Sequence, residues 1–471
     1  MILGIASLLR TGHYAHITNF HEAGMSDRLI SSIHIQGLFG LYDYKLPKQG
    51  ELEDAAILYG DNGVGKSTVL RLAFHLLSAG NNKGHRTALY KAEFSQLEVV
   101  LTSGIKLSAL RNGDVLILSI IKNNEVIALW EHDPNESENS VRYEIVGKEV
   151  RRVTANKKHV DLKWYGEKVY LKALANCTPN LFLLNAERYL HSDSIPDATD
   201  EVEFRKIMHF EERPKINDLV ARTREIGLAQ AMNSTFRWIA DKALQGANQG
   251  STNVHAVYGQ VLQHLMAPTN NREAMEKFDV DILSRQLSLI EIKTSLLADY
   301  DLAIPLPMAG FKKALTSNAG SRPELAASLL KPYIESIEGR LEAVEPIYQL
   351  VHRFVETINQ FLSDKKIEFK VGTGFKLKNR KGVELDPTQL SSGEQQLLLL
   401  FCYVLTARDT STVFMIDEPE ISLNIKWQRQ LVQSLLDITE GAKIQFIFAS
   451  HSLELLSQHR NRVIKLDNYH E

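Results

Sequence analysis

The stretch Gly60–Thr68 reads Gly-Asp-Asn-Gly-Val-Gly-Lys-Ser-Thr, and the fold of the surrounding chain follows from it. It fits the pattern G-x-x-x-x-G-K-[ST], in which glycines let successive backbone N–H groups turn towards phosphate oxygens. An apolar run at 55–59 precedes this stretch, and apolar residues at helical spacing follow it from Val69 to Leu77. A strand, a glycine-rich loop and a helix in this order predict a phosphate loop, whose helix directs its positive end at the bound anion.

The residue types in this stretch indicate which ligand the loop binds. Lys66 is expected to reach the β- and γ-phosphates of a nucleotide, and Ser67 is expected to ligate Mg²⁺. ATP and Mg²⁺ are therefore the expected cofactors. The predicted nucleotide-binding residues of this stretch are Asn62, Gly63, Gly65, Lys66, Ser67 and Thr68.

The size and composition of the chain exclude several classes of protein. A length of 471 residues predicts two or three domains, and a net charge of −3 argues against a chain that coats nucleic acid over its whole surface. The two cysteines, Cys177 and Cys402, have no metal-ligand spacing and fit a reducing compartment. There is no apolar run of 18 residues, and the apolar start lacks a basic region before it and a cleavage site after it. We expect a cytoplasmic protein, with Met25 as a second candidate start.

The strand and helix signals predict an α/β fold. We expect a P-loop ATPase head, with a mixed sheet wrapped by helices and an antiparallel β meander, into which a helical arm is inserted. The predicted segments are an N-terminal extension at 1–24, for which disorder is an open alternative, a first head lobe at 25–202, the arm at 203–364, and a second lobe at 365–471.

Within the predicted arm, apolar residues between Leu330 and Leu362 alternate at spacings of four and three. This pattern is typical of a helix that packs on a core and also of a short antiparallel arm, and both interpretations stay open. Pro346 lies inside the pattern, so we expect a kink or a break there. The polar stretch 245–254 predicts a flexible loop.

A second group of candidate residues follows an apolar strand late in the chain. Val413–Ile416 leads into Asp417 and Glu418. In a phosphate-loop enzyme, this arrangement places Asp417 beside Mg²⁺, and Glu418 where it can polarise or deprotonate the attacking water. The segment Leu390–Gln396 contains Ser-Ser-Gly at a helix start, which is typical of a simple N-cap and also of an anion site.

The order of these motifs resembles that of ABC-type ATPases. Leu390–Gln396 resembles the signature motif of that superfamily, Ile421–Asn424 resembles its D-loop, and His451 after an apolar strand resembles its switch histidine. Asn62 and the inserted arm are similar to the SMC-like branch. The resemblance implies a head-to-tail dimer in which Ser392 and Gly393 of one chain, with Glu394 beside them, complete the nucleotide site of the other. It also implies that His451 senses the γ-phosphate.

One motif departs from this family. ABC heads usually carry a glutamine near the position of Asn185–Arg188, and this stretch contains none. Glu187 and Arg188 are the candidate equivalents.

A narrower resemblance is to stand-alone ATPases of anti-phage defence, namely the overcoming-lysogenization-defect group, the Septu group and, most of all, the AriA family of the PARIS system. It implies a homo-oligomeric, ATP-hydrolysing sensor that holds or releases a Toprim-family nuclease similar to AriB. It also implies a viral anti-restriction protein that mimics DNA as the trigger. Only 20 residues follow His451, so we expect the nuclease to be a separate chain.

A basic stretch offers one candidate contact for such a polyanionic trigger. Residues 148–172 contain eight Lys or Arg against three acids, and a solvated loop is the plainer interpretation. The candidate contacts are Arg151, Arg152, Lys157 and Lys158.

Other functions compete with the sensor. An SMC-like DNA-binding ATPase for DNA repair or clamping is the main alternative, and a scaffold with a dead site is a third. The intact Lys66, Ser67, Asp417 and Glu418 argue against the scaffold. The inserted arm argues against a transporter ATPase.

Overall fold

A computed structural model describes residues 29–81, 83–133, 142–146, 149–153, 165–186, 190–193, 216–251, 280–316, 323–421 and 423–467. The strands are β1 (Ile30–Leu38), β2 (Tyr42–Leu46), β3 (Ala55–Tyr59), β4 (Gln96–Leu101), β5 (Lys106–Asn112), β6 (Val115–Lys122), β7 (Glu125–His132), β8 (Arg142–Val146), β9 (Glu149–Val153), β10 (Asn180–Leu184), β11 (Leu190–His191), β12 (Lys365–Lys370), β13 (Gly374–Asn379), β14 (Glu384–Leu385), β15 (Thr412–Asp417), β16 (Ile444–Ala449) and β17 (Val463–Lys465). The α-helices are α1 (Lys66–Leu77), α2 (His85–Lys91), α3 (Glu167–Cys177), α4 (Ile216–Ser251), α5 (Val280–Ala298), α6 (Ala309–Thr316), α7 (Pro323–Phe361), α8 (Ser392–Thr406), α9 (Ile425–Thr439) and α10 (Leu453–Gln458).

The chain divides into two compact units. The first combines Met1–Asp218 with Ala407–Glu471, and the second is Leu219–Thr406. The sequence predicted lobe boundaries at 202 and 364 instead. The difference at the second boundary has a physical reason, because both β12 and α8 pack against α7 and so join the helical unit.

The first unit contains a mixed sheet in the order β11-β10-β15-β16-β3-β17. Neighbouring strands are parallel except for β11, which pairs antiparallel with β10. All residues of β15 and of β16 are buried, as expected for central parallel strands that are covered on both faces. The mixed sheet that the sequence predicted is confirmed.

The same unit contains an antiparallel sheet in the order β2-β1-β4-β5-β6-β7. The turn after β5 contains Gly113 with a φ of 60°, and the turn after β6 contains Asn123 and Asn124 with φ values of 52° and 64°. Glycine and asparagine tolerate this left-handed conformation, which tight hairpins require. The predicted meander is confirmed.

Helix α1 lies against both sheets, since it packs on β10, β15 and β16 of the mixed sheet and on β5 of the antiparallel sheet. A buried glutamine forms a second connection between them. Gln445 on β16 accepts a hydrogen bond from the N–H of Ile30 at 2.9 Å and donates to the Ile30 carbonyl at 2.8 Å. The phosphate loop, which opens α1, is therefore attached to a rigid two-sheet core.

The second unit is built around α7, whose predicted apolar pattern is buried. This helix packs against α5, α6 and α8, and Ile334, Val351 and Ile358 on its apolar face are each 1% exposed or less. Helix α7 continues through Pro346, so the chain does not break at that residue, and the kink that was expected as the alternative stays a prediction. Packing along the apolar face holds the helix across the position where proline lacks an N–H. The second unit also contains a three-stranded sheet in the order β12-β13-β14.

The prediction of a loop at 245–254 is wrong for residues 245–251, because α4 continues to Ser251. The reason is close helix packing at Gly246, where a Cβ would lie 2.8 Å from the carbonyl oxygen of Ala343 on α7. A glycine that looks like a loop residue in sequence here lets two helices approach. Within the described part of the chain, no helix combines the length and apolar character that a membrane span requires.

Candidate nucleotide site

The phosphate loop joins β3 to α1 in a conformation that needs its glycines. Gly63 and Gly65 have φ values of 87° and 91°, in the left-handed region that side chains disfavour. A Cβ on Gly65 would also lie 2.8 Å from the Leu38 side chain. No side chain caps the start of α1, so the N–H groups of its first turn face the loop and can bind phosphate oxygens.

Lys66 lies folded back over this loop. Its Nζ donates to the carbonyl oxygens of Gly60 and Asp61, each at 2.9 Å, and the side chain is largely buried. Burial lowers the pKa of Lys66, while nearby carboxylates, chiefly Glu418 and then Asp417, act in the opposite direction. The ammonium is therefore held inside the loop and surrounded by acceptors.

The acidic strand end lies directly beside the loop. Ser67 Oγ donates to Asp417 Oδ1 at 2.7 Å, which connects the first turn of α1 to the end of β15. Burial raises the pKa of Asp417, and the hydrogen bond from Ser67 only partly offsets this effect. A buried carboxylate and a hydroxyl supply the oxygen ligands that Mg²⁺ prefers, and Mg²⁺ sites in phosphate-loop proteins complete their coordination with phosphate and water. These two residues fit Mg²⁺.

Glu418 follows Asp417 in an unusual backbone conformation. Its φ is 48°, which is uncommon for a residue other than glycine, and its N–H donates to the Ala449 carbonyl at 2.8 Å. This bond continues the pairing of β15 and β16 beyond Asp417. Glu418 remains partly exposed at the carboxyl edge of the sheet, which is the edge that carries the phosphate loop.

His451 is brought to the same place from the end of β16. Its Nδ1 lies 3.4 Å from Lys66 Nζ, although the two residues are 385 positions apart in the sequence. The structure therefore brings together Lys66, Ser67, Asp417 and His451, which the sequence proposed for one site.

One residue of this site was missed by the sequence analysis. Glu420 Oε1 accepts hydrogen bonds from Ser450 Oγ at 2.8 Å, His451 N at 2.8 Å and Ser452 N at 3.0 Å. An acid three positions after Asp417 was visible in the sequence, but its partners lie 30 to 32 positions further along. Only the pairing of β15 with β16 makes them neighbours.

The residues that resemble a signature motif lie in the second unit. Ser392 is exposed at the start of α8 and Gly393 is buried behind it. Glu394 is 3% exposed and accepts hydrogen bonds from the N–H of Ser391 at 2.7 Å and from Lys365 Nζ at 2.9 and 3.1 Å. Both carboxylate oxygens of Glu394 are thus engaged within the unit, so a nucleotide contact from this residue stays a prediction.

Several predicted residues lie outside the described part of the chain. These are Glu187 and Arg188 of the candidate Q-loop equivalent, Lys157 and Lys158 of the basic stretch, and the extension at 1–24. Arg151 and Arg152 lie on β9, for which the backbone alone is described.

Comparison with known proteins gives partial matches. A family model described as "AAA domain, putative AbiEii toxin, Type IV TA system" matches residues 282–457, which is 176 of the 471 residues. The molybdenum import ATP-binding protein ModC of Escherichia coli K12 is 34% identical over 82 residues, covering 17% of this chain and 22% of that protein. The ModC protein of Shigella flexneri matches with the same identity and coverage. The chain thus spans about a fifth of the length of these curated relatives.

Solved Smc head domains align over most of the chain but with low scores. The Smc head with an extended coiled coil bound to the C-terminal domain of ScpA, from Pyrococcus furiosus, has 13% identity, a TM-score of 0.34, and coverage of 93% of this chain and 94% of that one. The Smc head with a coiled coil and joint from Pyrococcus yayanosii has 14% identity, a TM-score of 0.34, and coverage of 91% and 93%. Scores this low add nothing to the description of the fold, which depends on the sheet orders given above. The geometry of Lys66, Ser67 and Asp417 is that of a phosphate-loop nucleotide site, and the partial matches show that parts of the chain are similar to an AAA domain and to an ATP-binding protein.

Proposed function

We propose that this chain binds ATP with Mg²⁺ and hydrolyses it. The observation that carries the proposal is the Ser67–Asp417 hydrogen bond of 2.7 Å, formed next to the buried ammonium of Lys66. It joins a hydroxyl, a carboxylate and an amine at the mouth of a glycine loop. No other ligand class fits this group of residues as well as a nucleoside triphosphate with its metal ion.

In this proposal each side chain has one role. When ATP binds, the Lys66 ammonium donates its hydrogen bonds to phosphate oxygens in place of the carbonyl oxygens of Gly60 and Asp61. Ser67 and Asp417 would hold Mg²⁺, which would supply positive charge beside the phosphates. Glu418 accepts the proton of the attacking water.

His451 contacts the γ-phosphate from the end of β16. Ser392 and Gly393 of a second copy complete the site, so that ATP holds two heads together. Support for this step comes from the exposed Ser392 at the start of α8, where helix N–H groups favour an anion. ATP would then regulate assembly as well as supply energy.

Phosphate release by the purified protein tests the enzymatic part of the proposal. Glu418→Gln removes the proton acceptor and should lower kcat by at least about 100-fold, while ATP still binds and the dimer accumulates. Lys66→Ala should abolish nucleotide binding. The control is Glu342→Gln, which changes an exposed glutamate on α7 and should keep the wild-type rate. Wild-type turnover in Glu418→Gln would refute the assignment of the proton acceptor.

For the biological role, we propose the sensor subunit of an anti-phage defence system that holds or releases a Toprim-family nuclease. The resemblance of the motifs to defence ATPases supports this role, and the family description that names a toxin–antitoxin system is compatible with a regulated partner chain. Cells that carry this chain together with a Toprim-family nuclease encoded beside it should resist phage. Lys66→Ala should remove that resistance. Equal plating efficiency of phage on both strains would contradict the role.

The trigger is proposed to be a viral protein that mimics DNA. Reversing the charge of Arg151, Arg152, Lys157 and Lys158 should then weaken binding of the trigger, and unchanged binding would exclude this contact. If the protein instead binds DNA directly, with ATP strengthening the complex and salt weakening it steeply, the clamping function replaces the sensor.

A further inference from the structure

A single carboxylate oxygen connects the ends of two neighbouring strands in the first unit. Glu420 follows β15, and its Oε1 accepts hydrogen bonds from three consecutive residues after β16, namely Ser450 Oγ, His451 N and Ser452 N. All three distances lie between 2.8 and 3.0 Å. Three hydrogen bonds from consecutive residues converge on this one oxygen, so the contact fixes the backbone of the 450–452 segment.

The other oxygen of the same carboxylate has a different environment. Glu420 Oε2 is buried, and within the described part of the chain it has no hydrogen-bond partner. Glu420 Oε1 is bonded to the N–H of His451, whose ring lies 3.4 Å from Lys66 Nζ, so the carboxylate lies beside the nucleotide site. The three hydrogen bonds on Oε1 are therefore the polar contacts that orient this side chain.

A second set of hydrogen bonds connects the same segment to the residues after Glu420. Ser452 Oγ donates to Gln428 Oε1 at 2.7 Å. Gln428 Nε2 donates to the Leu423 carbonyl at 2.9 Å and to the Glu420 carbonyl at 3.4 Å. The segment that resembles a D-loop and the segment that carries His451 therefore belong to one hydrogen-bonded network.

We propose that Glu420 is the positioning residue for His451, acting through the backbone N–H of that residue, and that it couples His451 to Leu423. The proposal rests on the proposed function, since it concerns the same site. The ring of His451 is 3.4 Å from Lys66 Nζ, so a shift of its backbone moves the ring relative to the phosphate loop. A shift of Leu423 in an assembled dimer would reach His451 through Gln428, Ser452 and Glu420.

Two substitutions at one position separate geometry from charge. Glu420→Gln keeps an oxygen that accepts the three hydrogen bonds, whereas Glu420→Ala removes it. We expect Glu420→Ala to lower kcat for ATP by about 10-fold or more with little change in KM, and Glu420→Gln to stay within about 3-fold of wild type. Equal losses in both variants would show that the negative charge matters and would overturn the proposal. Glu454→Ala, at a partly exposed glutamate on α10 paired with Arg429, serves as the control.

A double-mutant cycle tests whether Glu420 acts through His451. In a His451→Ala background, Glu420→Ala should change kcat by less than about 2-fold, because the group it positions is already gone. If the factors by which the two substitutions lower kcat instead multiply in the double variant, the residues act independently and the proposal is refuted. If Glu420→Ala does not fold, as judged by circular dichroism, Glu420→Asp replaces it, since the shorter side chain withdraws the same oxygen.

A measurement without nucleotide separates failure of this inference from failure of the proposed function. In protein labelled with ¹⁵N-histidine, the amide resonance of His451 should shift upfield in Glu420→Ala, because the hydrogen bond is lost, and should stay in place in Glu420→Gln. An unmoved resonance in Glu420→Ala contradicts the inference whatever the turnover. Absence of ATP turnover in wild-type protein contradicts the proposed function and leaves the resonance test intact.

Discussion

The ion pair between Lys365 and Glu394 gives the most quantitative prediction about the second unit. Lys365 opens β12 shortly after α7 ends, and Glu394 lies in the first turn of α8. The glutamate side chain is 3% exposed and that of the lysine is 23% exposed, with a shortest contact of 2.9 Å. Lys365→Met removes the cation and leaves the buried carboxylate with Ser391 as its remaining partner.

The expected loss follows from this burial. Removing one partner of a fully buried ion pair costs about 3–5 kcal/mol. Because water reaches part of the lysine, we expect a loss of about 2–3 kcal/mol for Lys365→Met. Glu394→Gln removes the buried charge itself and keeps an acceptor for Ser391, so it should cost only about 1–2 kcal/mol. The order of the two variants is therefore part of the prediction.

Differential scanning calorimetry measures these losses. For a unit of this size, about 1 kcal/mol corresponds to roughly 2–4 °C in Tm, so Lys365→Met should lower the Tm by about 5–10 °C. Lys376→Met is the matched control, because its pair with Glu384 spans 3.6 Å with side chains 41% and 63% exposed. Such surface pairs contribute little, and its Tm should move by less than about 2 °C. Similar small shifts in both lysine variants would refute the reasoning.

The pH dependence supplies an independent check. Burial acts to raise the pKa of Glu394, but the hydrogen bonds from Ser391 and Lys365 outweigh it, so the pKa lies below its ordinary value. A lowered folded-state pKa contributes stability that is present above the unfolded pKa of about 4.3 and is lost as pH falls through the folded pKa. The stability difference between wild type and Glu394→Gln should therefore shrink below about pH 4. A difference that grows on acidification would contradict this sign.

Three further predictions concern the first unit and a buried thiol. Gln445→Leu leaves the N–H and carbonyl of Ile30 without this partner and should lower the free energy of unfolding by about 2–4 kcal/mol in urea denaturation; a loss below about 0.5 kcal/mol would contradict it. Gly65→Ala places a Cβ 2.8 Å from the Leu38 side chain at a φ of 91°, so ATP affinity measured by calorimetry should fall at least about 10-fold, and unchanged affinity would refute the loop geometry. Burial raises the pKa of Cys402 to about 12, so a thiol reagent at pH 8 should label this residue only as fast as the protein unfolds. Mass spectrometry follows the labelling, and rapid labelling of folded protein would contradict this burial.

The sequence predicted elements whose signals are local. The strand before Gly60 and the helix after it, and the turn at Asn123 and Asn124, lie where their residue types require them. Such signals depend on backbone conformation and on periodicity, both of which are visible within about ten residues.

Features set by distant contacts were not predictable in the same way. Gly246 resembles a loop residue until Ala343 is seen against it, and nothing near Gln445 reveals that it pairs with Ile30. In the site, Lys66 and Asp417 were predicted because a known motif contains them. Glu420 was missed because its role exists only once β15 and β16 are paired.

The position of β3 in its sheet has a consequence for how the protein is made. Strand β3 lies between β16 and β17, and Lys66, just after β3, is separated by 385 positions from His451, just after β16. At a synthesis rate of about 5–20 residues per second, roughly 20–80 s pass on the ribosome before the neighbours of β3 emerge. During that time the nascent chain carries the apolar strand Ala55–Tyr59 with both of its edges unpaired. The nucleotide site therefore cannot form until β15 and β16 have been synthesised, because Asp417 ends β15 and His451 follows β16, and these two strands complete this part of the sheet.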